Sequence, residues 1–203
     1  ARIYYSIGDL DNANVNIVKA IEIKKNDDSY REYQQKLEEF KSNIKSAQKT
    51  FDNGYSEESI SEYNTLIEKF PNSPLPHYSL AVVYKNLDNY KLAVENFNKA
   101  LFINPYGEEK YLKAIRGIAQ RLAKLGKDKY SIGEYNEALN LYLEAVDYYP
   151  EYSSTLFRIC ITYFKTRDYE KAKTFAEKTL LYDPNNYQAM KILGDLYYAL
   201  GDI

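Results

Sequence analysis

The sequence predicts an all-α chain, a solenoid of stacked antiparallel helix pairs, on three observations. Pro71 and Pro105 stand 34 residues apart, and so do Pro150 and Pro184. The stretches leading into Pro105 (YKNLDNYKLAVENFNKALFINP) and into Pro184 (YFKTRDYEKAKTFAEKTLLYDP) are near-copies of one pattern. Within each copy, apolar side chains recur at spacings of 3, 4 and 7, which keeps them on one helical face. A fixed period of this size marks repeats that cannot bury their apolar faces alone and build a core by stacking.

Counting back from the prolines defines each element. Small residues stand 24 positions before them (Ala47, Ala81, Gly126, Cys160) and 12 before (Ser59, Ala93, Ala138, Ala172), so that the two helices of a pair approach closely. Eight before stand Tyr63, Phe97, Tyr142 and Ala176; fifteen before stand Tyr90, Tyr135 and Tyr169, with Ser56 the exception. The large aromatics fill the space between pairs. Polar turns separate the helices of a pair: Leu87-Asp88-Asn89, Ile132-Gly133-Glu134 and Thr166-Arg167-Asp168. Proline then ends the second helix, because it lacks an N–H and biases the preceding residue away from helical backbone.

In chain order this gives a single array: a partial repeat over 1–25, a long repeat over 28–71, a repeat over 72–105, a second long repeat over 106–150, a repeat over 151–184, and the first helix of a further repeat over 185–203. The interval from Pro105 to Pro150 is 45 residues, and with Lys25 in place of a first proline the interval to Pro71 is 46. Both excesses fall at the start of a first helix, where eleven residues add roughly 16 Å, or three turns. Two first helices are therefore expected to be extended. Over 29–51 the apolar stripe reads Tyr30, Tyr33, Leu37, Phe40, Ile44, Ala47, Phe51; over 108–130 it includes Tyr111, Ile115, Ile118, Leu122 and Leu125, with Gly117 marking a kink or a close contact. Such stripes require a partner along their length. It is either the neighbouring helices of this chain or, with Tyr30, Tyr33, Leu37, Phe40, Tyr111 and Ile115 as a rim interface, another protein or a second copy.

The segments at 80–105, 125–150 and 159–184 (LAVVYKNLDNYKLAVENFNKALFINP, LGKDKYSIGEYNEALNLYLEAVDYYP, ICITYFKTRDYEKAKTFAEKTLLYDP) resemble the tetratricopeptide repeat, a helix–turn–helix of 34 residues. LGDLYYALGD (193–202) is similar to the first helix of one more repeat, and YYSIGDLDNANVNIVKAIEI (4–23) to the rest of an earlier one; residues 46–71 are the weakest copy. The chain departs from the family pattern where His77, Leu156 and Met190 replace the usual tryptophan, and at Lys129, where an aromatic is usual. The resemblance implies a right-handed superhelix whose first helices line a concave, peptide-holding groove. By register it assigns to that groove Tyr78, Val82 and Lys85, then Phe157, Ile161 and Phe164, then Lys191, Asp195 and Tyr198, with Ile44, Phe51, Lys127 and Tyr130 from the long repeats. Some family members grip a C-terminal carboxylate with Lys, Asn and Arg on successive first helices. At the matching positions (Tyr78, Val82, Lys113 or Lys124, Ser154, Arg158) only Arg158 has the required type, so that clamp is not expected here. Arg158 remains a groove candidate.

Composition limits the alternatives. The 203 residues carry 27 basic and 29 acidic side chains, a net charge of −2 that provides no overall basic field for nucleic acid or an anionic membrane. No apolar run is long enough for a membrane span. The single cysteine, Cys160, excludes an intrachain disulfide and a multi-cysteine metal site, and its small-residue slot predicts a buried structural thiol. The only histidine, His77, is expected to pack or cap in the first turn of a helix. No glycine loop for phosphate is present, and the carboxylates lie on polar helix faces. No catalytic residue, metal or cofactor is assigned, and the chain is not read as an enzyme. The leading expectation is a scaffold for a protein or peptide partner, with no nucleic acid and no membrane insertion. The alternatives are a substrate-recruiting or regulatory arm of a larger enzyme, and a bacterial envelope or secretion assembly factor. The abrupt ends, at Ala1 and at Gly201-Asp202-Ile203, suggest a segment of a longer protein; the compartment stays open between cytoplasm and bacterial periplasm.

Overall fold

The computed structural model describes residues 9–24 and 28–201, so the start of the partial repeat, the Lys25 site, Asp202 and Ile203 lie outside the described residues. The described residues form ten α-helices and no strand: α1 (Leu10–Ile23), α2 (Asp28–Asp52), α3 (Ser56–Lys69), α4 (Pro74–Asn86), α5 (Tyr90–Ile103), α6 (Glu108–Ser131), α7 (Tyr135–Tyr148), α8 (Ser153–Lys165), α9 (Tyr169–Tyr182) and α10 (Tyr187–Leu200). Helices α2 and α6 are 25 and 24 residues long, while the others have 13 or 14. A short 3₁₀ turn, Pro105–Gly107, leads into α6. The chain divides into two compact units, one ending at Ala114 and the next beginning at Ile115, within α6.

Each helix end has a local cause. The residues before the four prolines, Phe70, Asn104, Tyr149 and Asp183, all leave helical backbone at φ between −131° and −141°, while their N–H groups still donate to the carbonyls of Leu66, Ala100, Ala145 and Thr179. Lys24 ends α1 with the same bond, to the Ala20 carbonyl. The turn inside each pair places one residue in the left-handed region, always 17 positions before the proline: Gly54, Asp88, Gly133 and Arg167, at φ of 90°, 55°, 84° and 63°. The next residue caps the second helix where its side chain allows. Asn89 and Asp168 accept from the N–H groups of Leu92 and Lys171, whereas Tyr55 and Glu134 give no side-chain cap.

In the first unit, Ala13 and Ile17 of α1 pack on Leu37 of α2. Phe40 and Ala47 of α2, Tyr63 and Leu66 of α3, and Leu80 and Val83 of α4 form a second cluster. The divergent small residue Ser59 is buried and satisfied, its hydroxyl donating to the Ala47 carbonyl at 2.8 Å. In the second unit, Cys160, Ala172, Ala176 and Leu196 form the core between α8, α9 and α10. A Cβ on Gly126 of α6 would stand 2.7 Å from the Tyr142 ring and 3.2 Å from the Ala138 carbonyl, so the absence of a side chain there sets how closely α6 and α7 pack.

Two expectations are corrected. Leu37, Phe40, Tyr111 and Ile115 are only 1, 0, 4 and 4% exposed, so they are interior residues rather than a rim interface; the stripe's period already places them on the buried face. Tyr30 and Tyr33 are half-buried against Ala13, Ile17 and Leu37. Gly117 makes no close contact: nothing lies within 4 Å of its Cβ direction, and α6 runs unbroken through it.

Candidate peptide-binding groove

Two helices of the second unit build the candidate site. Helix α8 buries Leu156, Ile159 and Cys160, which leaves Ser154, Phe157, Arg158 and Ile161 as a second stripe at spacings of 3, 1 and 3. Helix α10 buries Ala189 and Leu196 and leaves Tyr187, Lys191 and Asp195 on one side at spacings of four. The two stripes line one open cavity of about 750 Å³, completed by Asn186, Gln188 and Ile192. Asn186 fixes the cavity's edge. Its Oδ1 accepts from the Ala189 N–H at 3.0 Å and its Nδ2 donates to Asp183 Oδ2 at 3.0 Å.

The cavity is apolar with charges of both signs. Phe157 and Ile161 give flat and branched surface, Arg158 and Lys191 are cationic, and Asp195 is anionic. Arg158 also reaches the buried Tyr142 phenol. Burial pushes that phenol above its ordinary value of 10, and the guanidinium beside it works in the opposite direction through charge and a hydrogen bond.

The structure thus brings together Phe157, Arg158, Ile161, Lys191 and Asp195 from the expected set. Phe164 is not among the lining residues; its ring packs on Tyr169 at 5.6 Å. Tyr130 packs in the same way on Tyr135 at 5.2 Å. Tyr198 is 77% exposed and lies outside the lining. In the first unit Val82 is half-buried and Lys85 exposed. Tyr78 is engaged by Phe97 and Tyr111, with centroids 5.6 and 6.0 Å away, and by Lys110 Nζ 3.7 Å from its ring centroid. Ile44 and Phe51 pack against the α2–α4 core. Sequence reasoning missed Tyr187, Asn186 and Gln188; Tyr187 was findable as the residue one turn before Lys191.

The singular side chains are structural. His77 is buried, with Nδ1 3.0 Å from Asn96 Oδ1. Because Asn96 Nδ2 donates to the Leu92 carbonyl, its Oδ1 is the acceptor and His77 Nδ1 the donor. Burial holds the ring's pKa below 6.5; the Asn96 bond opposes this and nearby Lys99 adds to it. The Cys160 thiol is fully buried and pushed up to about 12 by desolvation. Lys129, at the aromatic position, is held by Glu134 and Glu137 at 2.5 and 2.6 Å, and these carboxylates raise its pKa. Among the described residues no cluster of metal-ligating side chains occurs, and no helix is long and apolar enough to cross a membrane.

Residues 76–106 and 132–192 each match a tetratricopeptide repeat model. Over 125 residues the chain is 28% identical to the BBSome complex member BBS4 of Bos taurus, a match covering 62% of this chain and 22% of that protein. Among solved structures, MamA from Desulfovibrio magneticus RS-1 is 21% identical, with 80% of this chain and 86% of that chain covered and a TM-score of 0.40. PilF of Pseudomonas aeruginosa is 25% identical, covers 81% of this chain and 70% of that chain, and has a TM-score of 0.39. Residues 76–106 and 132–192 are thus tetratricopeptide repeats, a repeat that serves as a protein-interaction scaffold.

Proposed function

We propose that the chain holds an extended or helical segment of a partner protein in the cavity between α8 and α10. One observation carries the reading: two stripes, on helices that each begin three residues past a proline (Pro150 and Pro184), converge on a single cavity of about 750 Å³. Apolar anchors beside fixed charges suit a peptide whose side chains enter pockets while its ends stay solvated. Phe157 and Ile161 supply the anchors, Arg158 and Lys191 face acceptors, and Asp195 selects a donor one turn further on. The bovine relative's description as a complex member supports the same kind of role, that of a piece of a larger assembly.

The test is affinity capture with the 203-residue chain beside Phe157→Ala/Ile161→Ala. Phe164 is left intact because it packs on Tyr169. Partners seated in the cavity should weaken by about tenfold or more on loss of two anchors. Partners that all survive the double substitution would show that they bind elsewhere.

A further inference from the structure

One repeat departs from the others where its two helices meet. Nine residues before the prolines stand Asn96, Leu141 and Phe175, but Glu62 in the copy ending at Pro71. Twenty-eight before stand His77, Leu122 and Leu156, and twenty-five before stand Leu80, Leu125 and Ile159; in that copy the same slots hold Asn43 and Ser46. His77, Leu80, Leu122, Leu156 and Ile159 are buried, whereas Asn43 is half-buried and Ser46 exposed. The polar residues open the α2–α3 pair. Asn43 and Ser46 of α2 and Glu62, Thr65, Leu66 and Lys69 of α3 line a cavity of about 250 Å³ within the first unit.

Glu62 is short of donors there. Its Oε2 is buried and makes no hydrogen bond. Its Oε1 accepts from Thr50 Oγ1 at 3.3 Å, but the Ser46 carbonyl, 3.1 Å from the same hydroxyl, competes for its one proton. A buried acceptor left without a donor is destabilising. The next repeat shows what is missing. There His77 Nδ1, in the slot that Asn43 fills here, donates to Asn96 Oδ1, in the slot of Glu62, at 3.0 Å. Lys69 forms an ion pair with Glu39, so the two carboxylates and one ammonium around the cavity leave a single negative charge.

We infer that this cavity takes one arginine side chain of a partner protein, whose guanidinium donates to Glu62. The volume lies below the roughly 300–1,000 Å³ of small-molecule sites, which suits a single side chain. Arginine fits better than lysine because a guanidinium is weakly hydrated, and its fork of N–H groups meets a carboxylate and neighbouring acceptors together, here the Thr65 hydroxyl and the Asn43 amide. Leu66 gives the stem an apolar wall. A turn about the terminal torsion of Glu62, which is soft in carboxylates, presents the buried oxygen to the donor. The site uses none of the groove positions assigned by register and does not depend on the α8–α10 cavity.

An NMR titration of the whole chain tests this with three neutral-ended probes: N-acetyl-arginine methylamide, its lysine counterpart, and its citrulline counterpart, which keeps the shape and loses the charge. With the arginine probe, backbone amide signals should shift at Asn43, Ser46, Glu62 and Thr65. The lysine probe should bind about tenfold more weakly, and the citrulline probe should not bind. Glu62→Gln should weaken arginine binding by about tenfold or more, while its urea midpoint stays at or above wild type, because the buried oxygen makes no bond that the fold would lose. Phe157→Ala/Ile161→Ala should leave the arginine probe bound, which separates this cavity from the one between α8 and α10. Shifts centred elsewhere, equal binding of the lysine or citrulline probe, no binding at all, indifference to Glu62→Gln, a fall in that variant's urea midpoint, or loss in the Phe157/Ile161 variant would each overturn the proposal.

Discussion

At the scale of single residues, position relative to the proline decides burial more firmly than residue type does. The residues 12 positions before the prolines, three alanines and Ser59, are fully buried, and so are those eight before, which range from alanine to tyrosine. Gly126 shows how tightly one such slot is filled. Its neighbour Tyr142 is fully buried and cannot swing away, and the Ala138 carbonyl is backbone. Gly126→Ala should therefore lower stability by about 1–2 kcal/mol, overpacking outweighing the gain in helix propensity; a urea midpoint at or above wild type would contradict this. The buried slots were readable from spacing alone. The roles of Phe164 and Tyr130 were not, because register gives the side of a helix, and whether a tyrosine five residues later turns back over that ring depends on turn geometry.

At the scale of elements, the prolines and small residues marked where each helix pair lies, and the left-handed turn explains the punctuation between its members. Glycine fills that turn position in the two long repeats, and a side chain fills it in the repeats at 72–105 and 151–184. Left-handed backbone costs an ordinary side chain about 1–2 kcal/mol, partly recovered for aspartate by local hydrogen bonding; Asp88 accepts one from the Tyr90 hydroxyl. Arg167→Gly should accordingly raise the urea midpoint by the equivalent of about 0.5–1 kcal/mol, and Asp88→Gly by less. A fall in Arg167→Gly would mean that the arginine side chain itself holds the turn. The better-matched copies compensate at the next residue, where Asn89 and Asp168 cap their helices and Tyr55 and Glu134 do not. Helix boundaries were thus largely legible, while the stripe on α2 and α6 was open to two readings until burial assigned it to the interior.

At the scale of the whole molecule, the all-α repeat class was legible because a 34-residue period is a long-range signal that single-residue ambiguities do not blur. The charge balance was misleading for the opposite reason. A net −2 averages a stretch of +6 between residues 110 and 127 with a remainder of −8, so the total hides the local charge. The candidate cavity was half legible: its α8 and α10 stripes follow from register, but Asn186 and Gln188 belong to the entry of α10, where repeats differ. The buried sulfur at the centre of the second unit adds a kinetic consequence. As the chain's sole thiol, Cys160 is a built-in clock for that unit. A thiol-specific reagent can reach it only through opening events, so labelling should proceed at less than about 1% of the denatured rate and scale with the population of the opened state. A ligand seated between α8 and α10 should slow this clock, and one bound to the first unit alone should leave it running. Binding in the cavity would then be timed without a dye, a tag or an added cysteine.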